Sequence, residues 1–159
     1  MLKIFNLFVV TNAFKLLQNY TPPNKLLLKP CPEINPSILM TTRDVCKALR
    51  ETGLVDVKMS DFGDTLICSQ KAGHYGSFFP IENEIWLNDI LEHFPKMSYN
   101  IILHELLHRV GLDHSEEAGM MGTYAVRENS YGFPIEDQHY LWLSFDDVKG
   151  LFFIKYINL

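Results

Sequence analysis

No stretch of this chain approaches the ~20 consecutive apolar residues that a membrane-crossing helix needs. Positive charge is not in excess either: 14 Lys+Arg stand against 19 Asp+Glu, for a net charge of −5. That balance leaves no electrostatic footprint for nucleic acid or an anionic membrane surface. Internal repeats, low-complexity tracts and runs of like charge are missing, which excludes solenoids and charged tails. Cysteine is scarce. Cys31, Cys46 and Cys68 form no CxxC pair, make no disulfide framework and leave at least one thiol unpaired, so cysteine usage does not settle the compartment. What remains is ordinary for a soluble domain: 159 residues, 47% hydrophobic and 21% charged, enough for one domain with a real core.

The N-terminus carries a minimal secretory pattern. MLK is a positive start, IFNLFVV is a short apolar run, and TNA offers small residues for cleavage after Ala13. A first apolar segment of the fold fits the same residues. Residues 1–24 are accordingly set apart as an N-terminal segment or leader, and 25–159 as the domain.

Between residues 21 and 36, TPPNKLLLKPCPEINP holds five prolines, so no helix runs through it; KLLLK reads as one short strand. TTRDVCKALRETG reads as a helix. Thr41 and Asp44 supply a capping pattern, Val45, Ala48 and Leu49 a common face, and Gly53 a stop. LVDVKM alternates as a strand does, DFGD is a turn, and TLICS is a second strand. GSFFPIENEIWLND reads as two more strands around a Pro80–Asn83 turn. A helix is predicted from about Ser98 to Gly111, then an irregular stretch to about Leu143. A last helix starts at Ser144, with Asp147 as capping partner and Phe145, Val148, Leu151 and Phe152 at helical spacing. Strands grouped together, with helices before and after, predict an α+β fold with helices packed on one mixed sheet.

HELLHRVGLDH, beginning at His104, concentrates three of the six histidines in eleven residues. His104 and His108 are four apart on the predicted helix, so both imidazoles project from one face and can bind one ion. Gly111 can turn the chain sharply because glycine tolerates positive φ. The turn would return His114 toward the ion from another direction. Three neutral imidazoles leave a fourth zinc position open, as in catalytic sites. Glu105 lies beside the metal rather than on it. A carboxylate there can take a proton from a metal-activated water and pass it to a leaving amine. The bland reading, histidines satisfied in a core or on a surface, fares worse. The helix is otherwise filled by Ile101, Ile102, Leu103, Leu106, Leu107 and Val110, and unpaired polar groups buried there would cost on the order of several kcal/mol.

HExxHxxGxxH is the zinc-binding pattern of the metzincin metallopeptidases, and the Ser115 that follows resembles the matrixin branch, the matrix metalloproteinases. EIWLND resembles the matrixin strand before the active-site helix. LSFDDVKGLFFIKYI is similar to the matrixin C-terminal helix, with paired Asp146 and Asp147 and a terminal Tyr156. The likeness spans roughly residues 25 to 157 and is strongest from 84 onward. It implies a twisted, mixed, mostly parallel five-stranded sheet with three helices. It also implies a small C-terminal subdomain with a methionine turn, for which Met121 is preferred to Met120. The implied activity is that of a zinc-dependent endopeptidase hydrolysing peptide bonds in protein substrates. His104, His108 and His114 would be the metal ligands and Glu105 the catalytic base, with one catalytic zinc as cofactor. A secreted monomer acting on a peptide or protein is expected, without nucleic acid or membrane partners.

Departures from the pattern matter. The loops before the helix hold one histidine, His74, and Trp86 stands near an expected ligand position, so no structural zinc is expected. Asp61 and Asp64 read as turn residues rather than calcium ligands. Cys31, in KPCPEI, faintly resembles the latency cysteine, but the residues before it are too few for a prodomain core. It reads as an ordinary cysteine in a proline-rich connection. GSFFP, residues 76–80, is the expected edge strand for an extended peptide. Tyr131, Phe133, Tyr140 and Trp142 are candidate pocket walls, and Tyr124 is a remote candidate to approach the metal. His93 and His139 read as surface or structural. The competing readings are a catalytically silent peptide-binding protein with the same fold and a metal-stabilised structural module. Retention of Glu105 argues against both.

Overall fold

Short-range capping and alternation account for most of the elements in the computed structural model, which describes residues 15–71, 73–115, 120–121 and 143–156. The cleavage site after Ala13, Tyr124, Tyr131, Phe133, His139, Tyr140 and Trp142 lie outside the described residues. In chain order the strands and helices are β1 (Lys15–Leu16), β2 (Leu26–Pro30), α1 (Pro36–Glu51), β3 (Val57–Met59), β4 (Thr65–Gln70), β5 (Gly76–Phe79) and β6 (Glu84–Asn88). A short 3₁₀ turn, Asp89–His93, leads to α2 (Pro95–Arg109), β7 (Leu112–Asp113) and α3 (Phe145–Tyr156).

Both central helices start earlier than predicted, and for the same reason. Proline at the first helical position loses no hydrogen bond, and its fixed φ suits the turn. Pro36 opens α1, where the Asn35 side chain accepts from the Ser37 N–H at 2.9 Å. Thr41, expected as the cap, instead lies inside the helix and donates back to the Ser37 carbonyl. Pro95 likewise opens α2 ahead of Ser98. The start of α3 matches its prediction: Ser144 N–H donates to Asp147 Oδ2 at 2.7 Å, and Asp147 N–H donates back to Ser144 Oγ at 3.1 Å. Its faces do not match. Leu151 is buried together with Asp146, Asp147 and Gly150, whereas Phe145, Val148 and Phe152 are exposed. Asp147 also accepts from the buried Met120 N–H, and that bond turns the acidic side inward.

The main sheet has strand order β3-β2-β4-β6-β5. Its first three pairings are parallel, and only β5 runs antiparallel to its neighbour. The sheet is therefore mixed and mostly parallel, and β5 is an edge. Leu26, Leu28, Ile67, Ile85 and Leu87 face a core shared with Ile38, Val45 and Leu49 of α1 and Ile102, Leu103 and Leu106 of α2. A separate two-stranded ladder joins β1 antiparallel to β7, so the chain before residue 24 contacts the domain at the metal-motif loop. No helix among the described residues is long and apolar enough to cross a membrane.

Cys31 is not the ordinary thiol expected. It forms a disulfide with Cys68, their Cα atoms 5.0 Å apart. The parallel register of β2 on β4 puts Pro30 beside Ile67, and so Cys31 beside Cys68. Cys46 is the free thiol, and burial pushes its pKa up to about 12.

Candidate metal centre

His104 and His108 sit one turn apart on α2, ring centroids 4.6 Å apart. The helix stops at Gly111, whose φ of +108° is open to glycine and strained for other residues. A Cβ there would also stand 2.9 Å from Pro22 Cγ. β7 then carries the chain back, and His114 Nε2 comes to 3.2 Å from both His104 Nε2 and His108 Nε2. Zinc–nitrogen bonds of 2.0–2.1 Å at a tetrahedral angle put ligand nitrogens about 3.3 Å apart. His114 Nε2 therefore stands at zinc-ligand spacing from each of the other two, and all three ligand atoms lie within 4.8 Å of one another.

Tautomers strengthen this. His104 Nδ1 is 2.7 Å from the Met120 carbonyl, and His108 Nδ1 is 2.8 Å from the Leu112 carbonyl. A carbonyl only accepts, so each Nδ1 carries the proton and each Nε2 turns a lone pair toward His114. Protonation does not relieve the crowding at neutral pH. Burial holds both imidazoles below their usual range, with His108 pulled down to about 4 and the neighbouring His104 contributing. The lone pairs that His104 and His108 turn toward His114 Nε2 are ones that a bound cation could take up. Among the described residues these histidines are the one cluster of three side chains able to hold a metal ion. His114 is exposed, which leaves the far side of that point open.

Glu105 is 7% exposed and lines the same cleft, of about 530 Å³, as the three histidines. Burial lifts its carboxyl to about 7, against the opposing pull of the Phe78 N–H that donates to it. A carboxyl poised near neutrality, beside a metal-competent triad, is suited to accept and return a proton. The opposite wall is the predicted edge strand: Gly76, Ser77 and Phe78 of β5 line the cleft with His74 and Tyr75. Gly76 makes this approach possible. A Cβ on it would collide with Ile101 Cγ2 and lie 3.1 Å from Glu105 Oε1. Gly76→Ala is expected to destabilise the fold by about 1–3 kcal/mol, read as a lowered urea midpoint. An unchanged midpoint would mean that the strand does not ride this close on α2.

The remaining sequence-singled residues lie elsewhere. Trp86 Nε1 donates to Glu84 at 2.8 Å, and Asp64 pairs with Arg109 at 3.7 Å. Asp61 occupies a turn, and exposed His93 neighbours Glu92. Met120 and Met121 are both buried; Met120 offers its carbonyl to His104, and Met121 accepts from the Ser115 N–H. A larger groove of about 760 Å³, between the segment around Pro22, the end of α1 and α3, contains no histidine. Sequence reasoning did not find the Phe78 N–H or the Leu112 and Met120 carbonyls, because backbone groups leave no mark in composition. Asp147, which ties Met120 to α3, was legible as a helix cap and as one of the paired aspartates, but not as the partner of Met120.

No protein-family model and no curated protein matches the chain. Among solved structures, that of myroilysin superposes with a TM-score of 0.61 over 91% of this chain and 99% of that one, at 11% identity. So low an identity speaks for architecture alone. Three helices and a mixed, mostly parallel five-stranded sheet make the fold α+β, similar to that of myroilysin.

Proposed function

We propose that this chain is a zinc-dependent endopeptidase of the matrixin type, with His104, His108 and His114 as metal ligands and Glu105 as the catalytic base. The observation that carries the reading is the convergence of imidazole lone pairs at zinc spacing beside a buried, near-neutral carboxyl. The fold shared with myroilysin supports it, as do Ser115 after the third histidine and the paired Asp146 and Asp147. Zinc at this point would polarise the scissile carbonyl and acidify the attacking water. The protein's own residues do the rest. β5 offers its outer edge to an extended peptide, aligning the scissile bond over the histidines. Glu105 takes the proton released by the attacking water and delivers it to the departing amine nitrogen. The Phe78 N–H keeps the carboxyl aimed while it changes charge.

The test is cleavage of a quenched-peptide library by the zinc-loaded chain, by the chelated chain and after zinc is restored. Cleavage lost with the metal and regained with it supports the reading. A zinc-loaded chain that binds peptides without cutting them would make this a silent peptide-binding protein.

We also propose secretion as a monomer. The apolar run before Ala13 and the Cys31–Cys68 disulfide both suit an oxidising compartment. Expression with the native N-terminus should yield exported chain whose mass begins at Phe14, which retains β1; an intact Met1 on cell-retained protein would contradict this.

A further inference from the structure

We propose that the segment Lys15–Tyr20 is a positioning element of the active site: β1 sets His108 and His114 through β7, and Tyr20 sets Glu105 through Phe78. The inference rests on the proposed function for the roles of His108, His114 and Glu105.

β1 and β7 pair with Lys15 opposite Asp113 and Leu16 opposite Leu112, and the Leu17 N–H donates to the Gly111 carbonyl at 2.9 Å. The three β7-side residues are those between the helix end and His114. Leu112 also carries the carbonyl that orients His108. Two of the three ligands therefore depend on a loop that is held on one side by the N-terminal segment. A ladder two residues long is marginal by itself, so the segment needs an anchor, and Tyr20 provides it.

The Tyr20 hydroxyl donates to the Arg109 carbonyl at 2.5 Å, capping a carbonyl in the last turn of α2. It also accepts from Arg109 Nη1. Arg109 is 4% exposed and is itself fixed by Thr65 Oγ1 at 2.7 Å and by Asp64. The Tyr20 ring meets Phe78 edge-on, centroids 6.0 Å apart. Phe78 is the residue whose N–H holds the Glu105 carboxylate. Tyr20 thus bridges the last turn of the helix that carries the base and the strand that aims it.

The experiment uses the full chain with Leu17→Pro, Tyr20→Ala and Tyr20→Phe. Leu17→Pro deletes the N–H that donates to Gly111. Zinc affinity is measured by chelator competition, ligand geometry by the absorption spectrum of the cobalt(II)-substituted protein, and kcat and KM on a cleaved peptide. Partners that orient metal ligands are typically worth 10–100-fold. Leu17→Pro is expected to weaken zinc by about that factor and to shift the cobalt spectrum. Tyr20→Ala is expected to lower kcat by about 10-fold or more with KM little changed, and Tyr20→Phe, which keeps the ring, to recover part of it. A lowered Tm with zinc affinity, cobalt spectrum and kcat all unchanged would overturn the proposal and leave the segment as packing alone. The two readings fail separately. Weakened zinc in Leu17→Pro without peptide cleavage by the wild type would sink the peptidase and keep the positioning role of β1. Cleavage by the wild type with unaltered variants would do the reverse. A wild type that binds no zinc would end both.

Discussion

Replacing Glu105 with glutamine is expected to lower kcat/KM for peptide cleavage by about 10²–10⁴-fold while one zinc stays bound, the range of a lost general base. Glutamine keeps the shape and can still accept from the Phe78 N–H, so the strand above the cleft need not move. The same substitution has an opposite effect on stability. Burial raises the Glu105 carboxyl from 4.5 to about 7 in the folded chain. Its stabilising contribution is therefore complete below pH 4.5 and is lost as pH rises through about 7. Each unit is worth about 1.4 kcal/mol, so the metal-free wild type should forfeit about 3 kcal/mol across that window. Metal-free Glu105→Gln should not. The contributions of His104 and His108 are common to both proteins and cancel in the difference. Urea melts of the two metal-free proteins between pH 4.5 and 8 would show the variant gaining on the wild type as pH rises. A flat difference would mean that Glu105 is not held in a desolvated site. Activity and stability moving in opposite directions is the behaviour expected of a group kept for its chemistry.

Replacing His114 with alanine is expected to cost about 10²–10³-fold in zinc affinity. Sites with four protein ligands hold zinc by about 10–16 kcal/mol, or about 2.5–4 kcal/mol per ligand if shared evenly. His114 is the informative choice because it is exposed, whereas His108 is buried, so its removal leaves the core intact. Two consequences should accompany the loss. Cleavage should vanish at zinc concentrations that saturate the wild type. The stabilisation on adding zinc, which mass action sets at about 4 kcal/mol when free zinc is 1,000 times the dissociation constant and which is read as a rise in Tm, should shrink accordingly. Unchanged zinc affinity in His114→Ala would dissolve the triad and leave His104 and His108 as a pair.

The sequence by itself determined whatever is encoded within about four residues. The one-turn spacing of His104 and His108, the glycine needed at 111, the Ser144–Asp147 cap and the alternation that makes β3 are local patterns, and each appears where the residues require it. Even the two early helix starts are local: Pro36 and Pro95 mark the first turn, where proline opens a helix that it would break further in. Tertiary structure alone decided the rest, because the partners are remote in sequence and most are backbone atoms. His104 finds the Met120 carbonyl 16 residues away, Tyr20 finds Arg109 across 89, and Cys31 finds Cys68 across 37. The buried side of α3 was set by an aspartate that serves both its own helix and Met120, against the spacing of its aromatic residues. Motif spacing named the four residues of the proposed site. Burial, strand register and distant carbonyls gave those residues their tautomers, their proton affinities and their aim.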